Sequence, residues 1–254
     1  GVHAIALGYV IGEIFRLAIL IGVIKRLNLF KLGISLQLNP RLREFFKTAS
    51  YQTIGMAAVG LNPAVDKTMA NWLGEGSVSV LYYADRLYAV PVLFVTSGLM
   101  VTLLSHWSET FYRSSERRIK EDVKKAIKWV GILTLPIMLF LVLFHRPVVY
   151  LVFNRGEFAP AKLLDVAWVW VCYLLGLVPY AIGQVFVRAH LALKNTVILM
   201  RCSLCLIILN ILLNYVLMTP LKVAGIAIAS SIAPFFTILY LGGLFYRRRE
   251  IHNE

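Results

Sequence analysis

Seven apolar stretches, separated by shorter polar or basic connections, make up most of the chain. A helix needs about 20 apolar residues to cross a hydrocarbon layer about 30 Å thick, and each stretch has roughly that length. We therefore predict an all-α polytopic membrane protein with about seven transmembrane helices. The predicted spans are 4–24, 50–73, 78–104, 127–144 with an extension to 153, 164–191, 197–218 and 223–245.

The composition agrees with this pattern. Of the 254 residues, 59% are hydrophobic and 15% are charged, and the mean hydropathy is +0.74. A formal net charge of +13 would suggest nucleic acid binding in a soluble chain, but here the basic residues lie mostly between the apolar stretches. Basic residues in such connections orient a membrane protein, so we predict no nucleic acid partner.

The basic residues also predict an orientation. When alternate connections are assigned to opposite sides, one side holds most of the Lys and Arg residues. The other side holds only Lys67, Arg146, Arg155, Lys162 and Lys222. By the positive-inside rule the chain starts outside, and its carboxyl terminus lies in the cytoplasm. An outside start, an odd number of spans and a first residue other than Met lead us to expect part of a longer protein.

Two of the basic connections also carry aromatic side chains. Residues 40–49 interleave basic side chains with Phe45 and Phe46, and residues 106–128 combine Trp107, Phe111 and Tyr112 with a dense basic run. We predict interfacial amphipathic helices whose cations contact anionic headgroups. The alternative is that these segments capture an anionic lipid substrate.

Patterns typical of covalent chemistry are absent from the sequence. It contains no Gly-rich phosphate loop, no HExxH motif and no nucleophile elbow. Its histidines are scattered toward the span ends, and Cys172, Cys202 and Cys205 lie in apolar stretches without metal-ligand spacing. We predict that the protein is not an enzyme and needs no metal or cofactor, apart from a dependence on membrane potential or on a counter-ion.

Charged residues inside the spans are the candidate functional residues, because each costs roughly 2.5–3.5 kcal/mol at the bilayer centre. They are Glu13, Arg16, Asp66, Lys67, Asp85 and Arg86. Glu13 and Arg16 share a face of the first helix and can pair. The other four lie at comparable depth on both sides of a hairpin turn at 74–76. They either neutralise one another as a closed ion-pair cluster or leave Arg86 facing a water-filled cavity, where it binds an anion.

Prolines interrupt several predicted spans, at Pro63, Pro91, Pro136, Pro179 and Pro234. Each removes a helix hydrogen bond and allows a kink. Kinked helices suit a transporter that rocks between states, although proline is also more frequent in membrane helices generally.

Several segments resemble the MurJ (MviN) family of lipid II flippases. The central ones are LNPAVD at 61–66, GSVS at 76–79 and LYYADRL at 81–87. Later ones are FNRGEF at 153–158, LGLVPYA at 175–181, QVFVRA at 184–189 and ALKNT at 192–196. The opening, with ALG at 6–8 and GE at 12–13, is similar to the helix that precedes the signature in family members.

The resemblance implies a domain organisation. Family members belong to the multidrug, oligosaccharidyl-lipid and polysaccharide exporters, which have two six-helix lobes around a central cavity. Residues 1–24 resemble the last helix of an otherwise missing amino-terminal lobe, and residues 25–49 resemble a cytoplasmic amphipathic linker. Residues 50–246 then form a six-helix carboxyl-terminal lobe, followed by a basic cytoplasmic tail at 247–254.

The resemblance also implies a function. Family members move the lipid-linked precursor of peptidoglycan from the inner to the outer leaflet by alternating access, and cavity arginines are thought to hold its pyrophosphate. Arg86 matches the cavity arginine of this lobe, and we add Arg16 as a second cation from its mid-span position. The candidate ion-pair or gating residues are Asp66, Lys67, Asp85 and Glu13. Ala89 stands where some members carry a carboxylate, so gating by a charge there is not expected.

The implied partners are a lipid-linked oligosaccharide pyrophosphate, membrane lipids and the missing lobe, in cis or in trans. The implied location is the bacterial cytoplasmic (inner) membrane. Two other functions stay open. A cation-coupled multidrug exporter of the same superfamily would use Asp66 and Asp85 for organic cations, and a truncated lobe would have no function of its own.

Overall fold

The computed structural model describes residues 2–27, 39–97, 102–105, 107, 116–153 and 160–247, without the side chains of residues 2–6, 41, 116, 117, 160 and 161. The regular secondary structure in these ranges is entirely helical, so the prediction of an all-α protein is confirmed. The helices are α1 (Val2–Arg26), α2 (Pro40–Asn71), α3 (Ser77–Ser97), α4 (Glu116–Leu143), α5 (His145–Phe153), α6 (Pro160–Leu174), α7 (Leu177–Ala192), α8 (Thr196–Leu221) and α9 (Val223–Arg247).

Five of the described helices, α1, α3, α4, α8 and α9, are long and apolar enough to cross a membrane. The pair α6–α7, bent by 40°, makes a sixth if it counts as one span. From the sequence we predicted about seven spans, and the difference is α2. With 32 residues α2 has the length to cross, but Asn62, Asp66, Lys67 and several hydroxyl side chains interrupt its apolar surface.

The described chain divides into two compact units, residues 1–43 and residues 44–254. The first contains α1, whose exposed side chains are mostly apolar, as Leu7, Phe15 and Leu20 illustrate. Such a surface suits contact with lipid or with other membrane helices. Residues 40–49, predicted as the end of an amphipathic linker, form the first turns of α2 and continue into it without a break.

Two hydrophobic clusters form the core of the second unit. One joins α3, α6 and α9 through buried side chains that include Leu81 and Trp170. The other joins α4, α7 and α9 through side chains that include Val130, Val185 and Leu241. The bent pair α6–α7 therefore lies at the centre of the unit. Inside a membrane these contacts stabilise the fold by close packing rather than by removal of surface from water.

The bend between α6 and α7 has a defined hydrogen-bond pattern. The Gly176 N–H bonds to the Tyr173 carbonyl at 3.0 Å, so it leaves the Cys172 carbonyl without its usual helical donor. The Ser231 hydroxyl of α9 donates to that Cys172 carbonyl at 2.6 Å and to the Tyr173 carbonyl at 3.2 Å. Of the five prolines predicted to allow kinks, Pro179 is the one next to this bend. The other four lie within continuous helices.

The predicted turn between α2 and α3 is present at residues 72–76. Gly74 and Gly76 have φ values of 105° and 86°, a conformation that side-chain-bearing residues adopt only with strain. The turn brings the end of α2 back along α3, where Met69 and Ala70 enter the same cluster as Val80 and Leu81. The charged residues on both sides of the turn are thereby brought close together.

Candidate functional site

On α1, Glu13 and Arg16 form an ion pair. The Arg16 Nη1 lies 3.3 Å from the Glu13 Oε1, and both side chains are mostly exposed. One helical turn separates the two residues, so the pair forms within α1 alone. A substrate-binding role for Arg16 and a gating role for Glu13 stay predictions.

Asp66 lies in a buried hydrogen-bonded cluster rather than in an ion pair. Its side chain is 8% exposed. The Asn214 Nδ2 of α8 donates to its Oδ1 at 2.7 Å, and the Ser230 hydroxyl of α9 donates to its Oδ2 at 3.2 Å. The closed ion-pair cluster that we considered from the sequence does not form among the described residues.

The hydrogen bonds extend further into α8. The Asn214 Nδ2 also donates to the Asn210 Oδ1 at 3.2 Å, and both asparagines are almost fully buried. In the described part of the chain, the Oδ1 atoms of Asn214 and Asn62 are buried without a hydrogen-bond partner. Asn62 is one turn before Asp66 on α2 and shares its face. We call Asp66, Asn210, Asn214 and Ser230 the polar cluster.

The polar cluster ties α2 to α8 and α9. A carboxylate and amide oxygens are ligands that hard cations accept, so this is where the described residues could hold one. No group of three or more His, Cys, Asp or Glu residues in the described ranges is arranged to bind a metal ion. The structure therefore gives no reason to assign a transition metal to the described residues.

Lys67 and Arg86 approach the same aromatic ring on the other side of the hairpin. The Lys67 Nζ lies 5.4 Å from the centroid of the Tyr82 ring, and the Arg86 Cζ lies 5.1 Å from it. Arg86 is exposed and Lys67 partly buried. Neither makes an ion pair with a carboxylate in the described ranges. We call Lys67 and Arg86 the cation pair.

Asp85 is the acidic neighbour of the cation pair. It is partly buried, and its carboxylate lies within electrostatic reach of both Lys67 and Arg86 without an ion pair to either. Asp66 lies within electrostatic reach of Asp85, so two acids and two cations meet at the hairpin and their charges balance. Arg86 can still attract an anion, because it is exposed whereas Asp66 is buried.

Sequence reasoning missed Asn210, Asn214, Ser230 and Tyr82. A signal existed for the two asparagines, because two amides four residues apart in an apolar span are costly unless they bond to each other or to a partner. Tyr82 is one turn before Arg86, so its ring was also within reach. Ser230 gave no comparable signal. The FNRGEF segment from Asn154 onward and the basic tail beyond residue 247 lie outside the described residues.

The whole chain, residues 1–254, matches the family model described as lipid II flippase MurJ. The probable lipid II flippase MurJ of Rickettsia prowazekii (strain Madrid E) is 23% identical over 251 residues, which cover 99% of this chain and 49% of that protein. The chain spans about half the length of the curated relatives it matches.

Two solved structures share the fold. The inward closed conformation of lipid II flippase MurJ matches with a TM-score of 0.70 and 24% identity, over 87% of this chain and 46% of that one. The outward-facing conformation of a multidrug resistance MATE family transporter of the MOP superfamily matches with a TM-score of 0.67 and 16% identity, over 80% and 44%. With its full-length match to the family model, the chain belongs to the lipid II flippase MurJ family, as its segments suggested.

Proposed function

We propose that this chain provides the carboxyl-terminal lobe, and the helix before it, of a lipid II flippase. The lobe would move the lipid-linked peptidoglycan precursor from the inner to the outer leaflet by rocking against an amino-terminal lobe. The observation that carries the proposal is Arg86, which is exposed and has no carboxylate partner among the described residues. It stands at the position that the family motif gives to a cavity arginine.

The chemistry of the substrate explains why an arginine would be needed. A pyrophosphate carries negative charge that is costly to move through an apolar layer. A guanidinium stays charged at any physiological pH and binds phosphate oxygens through two parallel hydrogen bonds, which lowers that cost. Arg86 on the exposed face of α3 is available for such contacts.

The proposal includes a location and an orientation. The lobe would lie in the bacterial cytoplasmic membrane with its carboxyl terminus in the cytoplasm, because most basic residues then fall on the cytoplasmic side. The start of α2 supports this orientation, since Phe45 and Phe46 are exposed beside Lys47. Such a combination is typical of a helix at the headgroup level. Contact between the start of α2 and anionic lipid would anchor this helix at the membrane surface. The alternative role of the same contact is capture of the lipid substrate.

The multidrug exporter is the second candidate function, and the fold is compatible with it. An organic cation would need a carboxylate that it can reach. Asp66 is buried and hydrogen-bonded to Asn214 and Ser230, and Asp85 is partly buried beside two cations. Both arrangements disfavour a cationic drug. The geometry therefore supports an anionic substrate better.

Complementation of a bacterial strain depleted of its own lipid II flippase tests the proposal. We expect rescue by the full-length protein, meaning this chain with the segments that its relatives carry beyond it. This chain alone should fail, because alternating access needs both lobes. We expect Arg86→Ala in the full-length protein to abolish rescue and Arg86→Lys to restore little of it, because lysine lacks the planar fork.

The matched control is Arg201→Ala, which removes an exposed arginine from α8 and should leave rescue intact. Membrane levels of all variants are measured in parallel. Full rescue by Arg86→Ala at normal expression would contradict the proposal, and so would failure of the full-length protein despite its insertion in the membrane.

A further inference from the structure

We propose that Lys67 is a second substrate-binding residue, which together with Arg86 and the Tyr82 ring that both cations approach forms a site for a diphosphate. This inference rests on the proposed function and adds to it. It identifies a second cation within the described lobe and explains why that cation is not neutralised.

Asp66 and Lys67 are neighbours on α2, but their side chains point in different directions. Successive residues on a helix point about 100° apart. Asp66 points to α8 and α9, where Asn214 and Ser230 donate to both of its carboxylate oxygens. Lys67 points instead to α3, where its Nζ approaches Tyr82. The acid next to Lys67 in the sequence is therefore used elsewhere and does not pair with it.

The spacing of the two cations suits a ligand with two charged ends. The Lys67 Nζ and the Arg86 Cζ lie 5.4 Å and 5.1 Å from the same ring centroid, so their separation cannot exceed the sum of these distances. A diphosphate has two charged ends, and each can place an oxygen about 2.8 Å from one cation. A monophosphate reaches a shorter distance than a diphosphate, so at separations near this limit it contacts only one of the two cations.

Both cations of the pair remain available to an anion. Each is attracted to the Tyr82 ring, which holds it near the exposed face of α3. Asp85 lies within electrostatic reach of both cations but pairs with neither among the described residues. Both cations therefore lie at the ring and not in contact with this carboxylate. A diphosphate that approaches the exposed face meets two cations rather than one.

Binding to the full-length protein in lipid nanodiscs tests the inference, with a polyprenyl diphosphate and the matching polyprenyl monophosphate as ligands. We expect Lys67→Ala to weaken diphosphate binding by about tenfold or more, the usual effect of one charge-assisted contact. Monophosphate binding should change by less than about threefold, because Arg86 can still hold one phosphate. Lys67→Arg keeps the charge and should restore diphosphate binding.

Two further variants separate a specific site from a general effect of charge. Lys162→Ala removes an exposed lysine close to Gly76 at the same end of the lobe and should change neither affinity. Tyr82→Leu removes the ring and should reduce the preference for diphosphate, whereas Tyr82→Phe should keep it. Size-exclusion profiles and thermal unfolding check that each variant is folded.

The outcomes distinguish this inference from the proposed function. If wild type binds the diphosphate and Arg86→Ala loses it, the flippase proposal stands. An unchanged diphosphate affinity in Lys67→Ala would then overturn the role of Lys67 alone. Equal weakening of both ligands by Lys67→Ala and Lys162→Ala would also overturn it, because only overall charge would matter. If wild type binds neither ligand, both proposals fail.

Discussion

At the scale of single residues, the polar cluster shows how a polar group is tolerated inside the lobe. Asp66 and Asn214 are both buried, and each depends on the other for a hydrogen bond of 2.7 Å. Removal of one partner leaves the other buried with fewer bonds, which costs more than the bond itself contributes. The pair therefore matters for stability whether or not it has a role in transport.

We expect Asn214→Ala to lower the free energy of unfolding by about 1–2 kcal/mol. The reason is that Asp66 would keep only the Ser230 hydroxyl as a donor. Thermal unfolding of the purified protein in detergent measures the effect. Asn71→Ala, at the exposed end of α2, is the control and should change stability by less than about 0.5 kcal/mol.

A double-mutant cycle tests whether the loss comes from this pair. Asp66→Leu combined with Asn214→Leu should destabilise less than the two single changes added together, because no unpaired group remains. Additive effects would show that the two side chains act independently and would contradict the hydrogen-bonded pair.

The sequence identified Asp66, Lys67, Asp85 and Arg86 as unusual, because charges inside apolar spans are costly. It did not identify their partners. The donors to Asp66 come from residues 148 and 164 positions further along the chain. Which of them Asp66 meets depends on how α8 and α9 pack against α2. The different directions of Asp66 and Lys67 likewise could not be predicted without the positions of the neighbouring helices.

At the scale of the elements, the bend between α6 and α7 is closely packed against α9. A Cβ added at Gly176 would lie 2.8 Å from the Ser231 Cα, closer than packed atoms allow. The φ of Gly176 is −81°, which any residue can adopt. Glycine is therefore required here by the approach of α9 and not by its own backbone conformation.

Gly176→Ala should destabilise the protein by about 1–3 kcal/mol, because α9 would have to move away from the bend. Gly131→Ala in α4 is the matched control, since a Cβ there meets nothing within 4 Å. It should be neutral or stabilising by up to about 1 kcal/mol. Unfolding temperatures of the two variants give the comparison, and equal effects would contradict close packing at the bend.

Sequence reasoning predicted the helices but not the contact that supports the bend between α6 and α7. Apolar length alone located the spans, because a helix satisfies its own backbone groups in lipid. Five prolines allowed kinks, and the bend between α6 and α7 lies next to one of them, Pro179. A bend leaves carbonyl groups without donors, so it needs a neighbour such as Ser231 to bond them. That neighbour lies on α9, 59 residues after Cys172 in the sequence.

At the scale of the whole molecule, the described lobe combines two kinds of face. The side that joins α2 to α8 and α9 is closed by buried hydrogen bonds. The side that carries Arg86 and Tyr82 on α3 is exposed. One lobe of an alternating-access transporter needs such an open face for its substrate and its partner lobe. The match to about half of each relative agrees with this arrangement.

The polar cluster has a consequence for the order in which the chain enters the membrane during synthesis. Asp66 and Lys67 each add roughly 2.5–3.5 kcal/mol to the cost of inserting α2 by itself. The groups that solvate Asp66 lie on α8 and α9, which leave the ribosome much later. The nascent α2 should therefore stay near the translocon, or partly outside the bilayer, until those helices arrive.

A truncation after Ala192, which removes α8 and α9, tests this order of insertion. We expect a glycosylation acceptor placed in the 74–76 turn to be modified less in the truncated chain than in the complete one. Asp66→Leu should raise modification of the truncated chain. Equal modification of the two chains would mean that α2 inserts unaided. Less modification of the truncated chain would mean that helices made well after α2 decide when α2 becomes a stable part of the membrane.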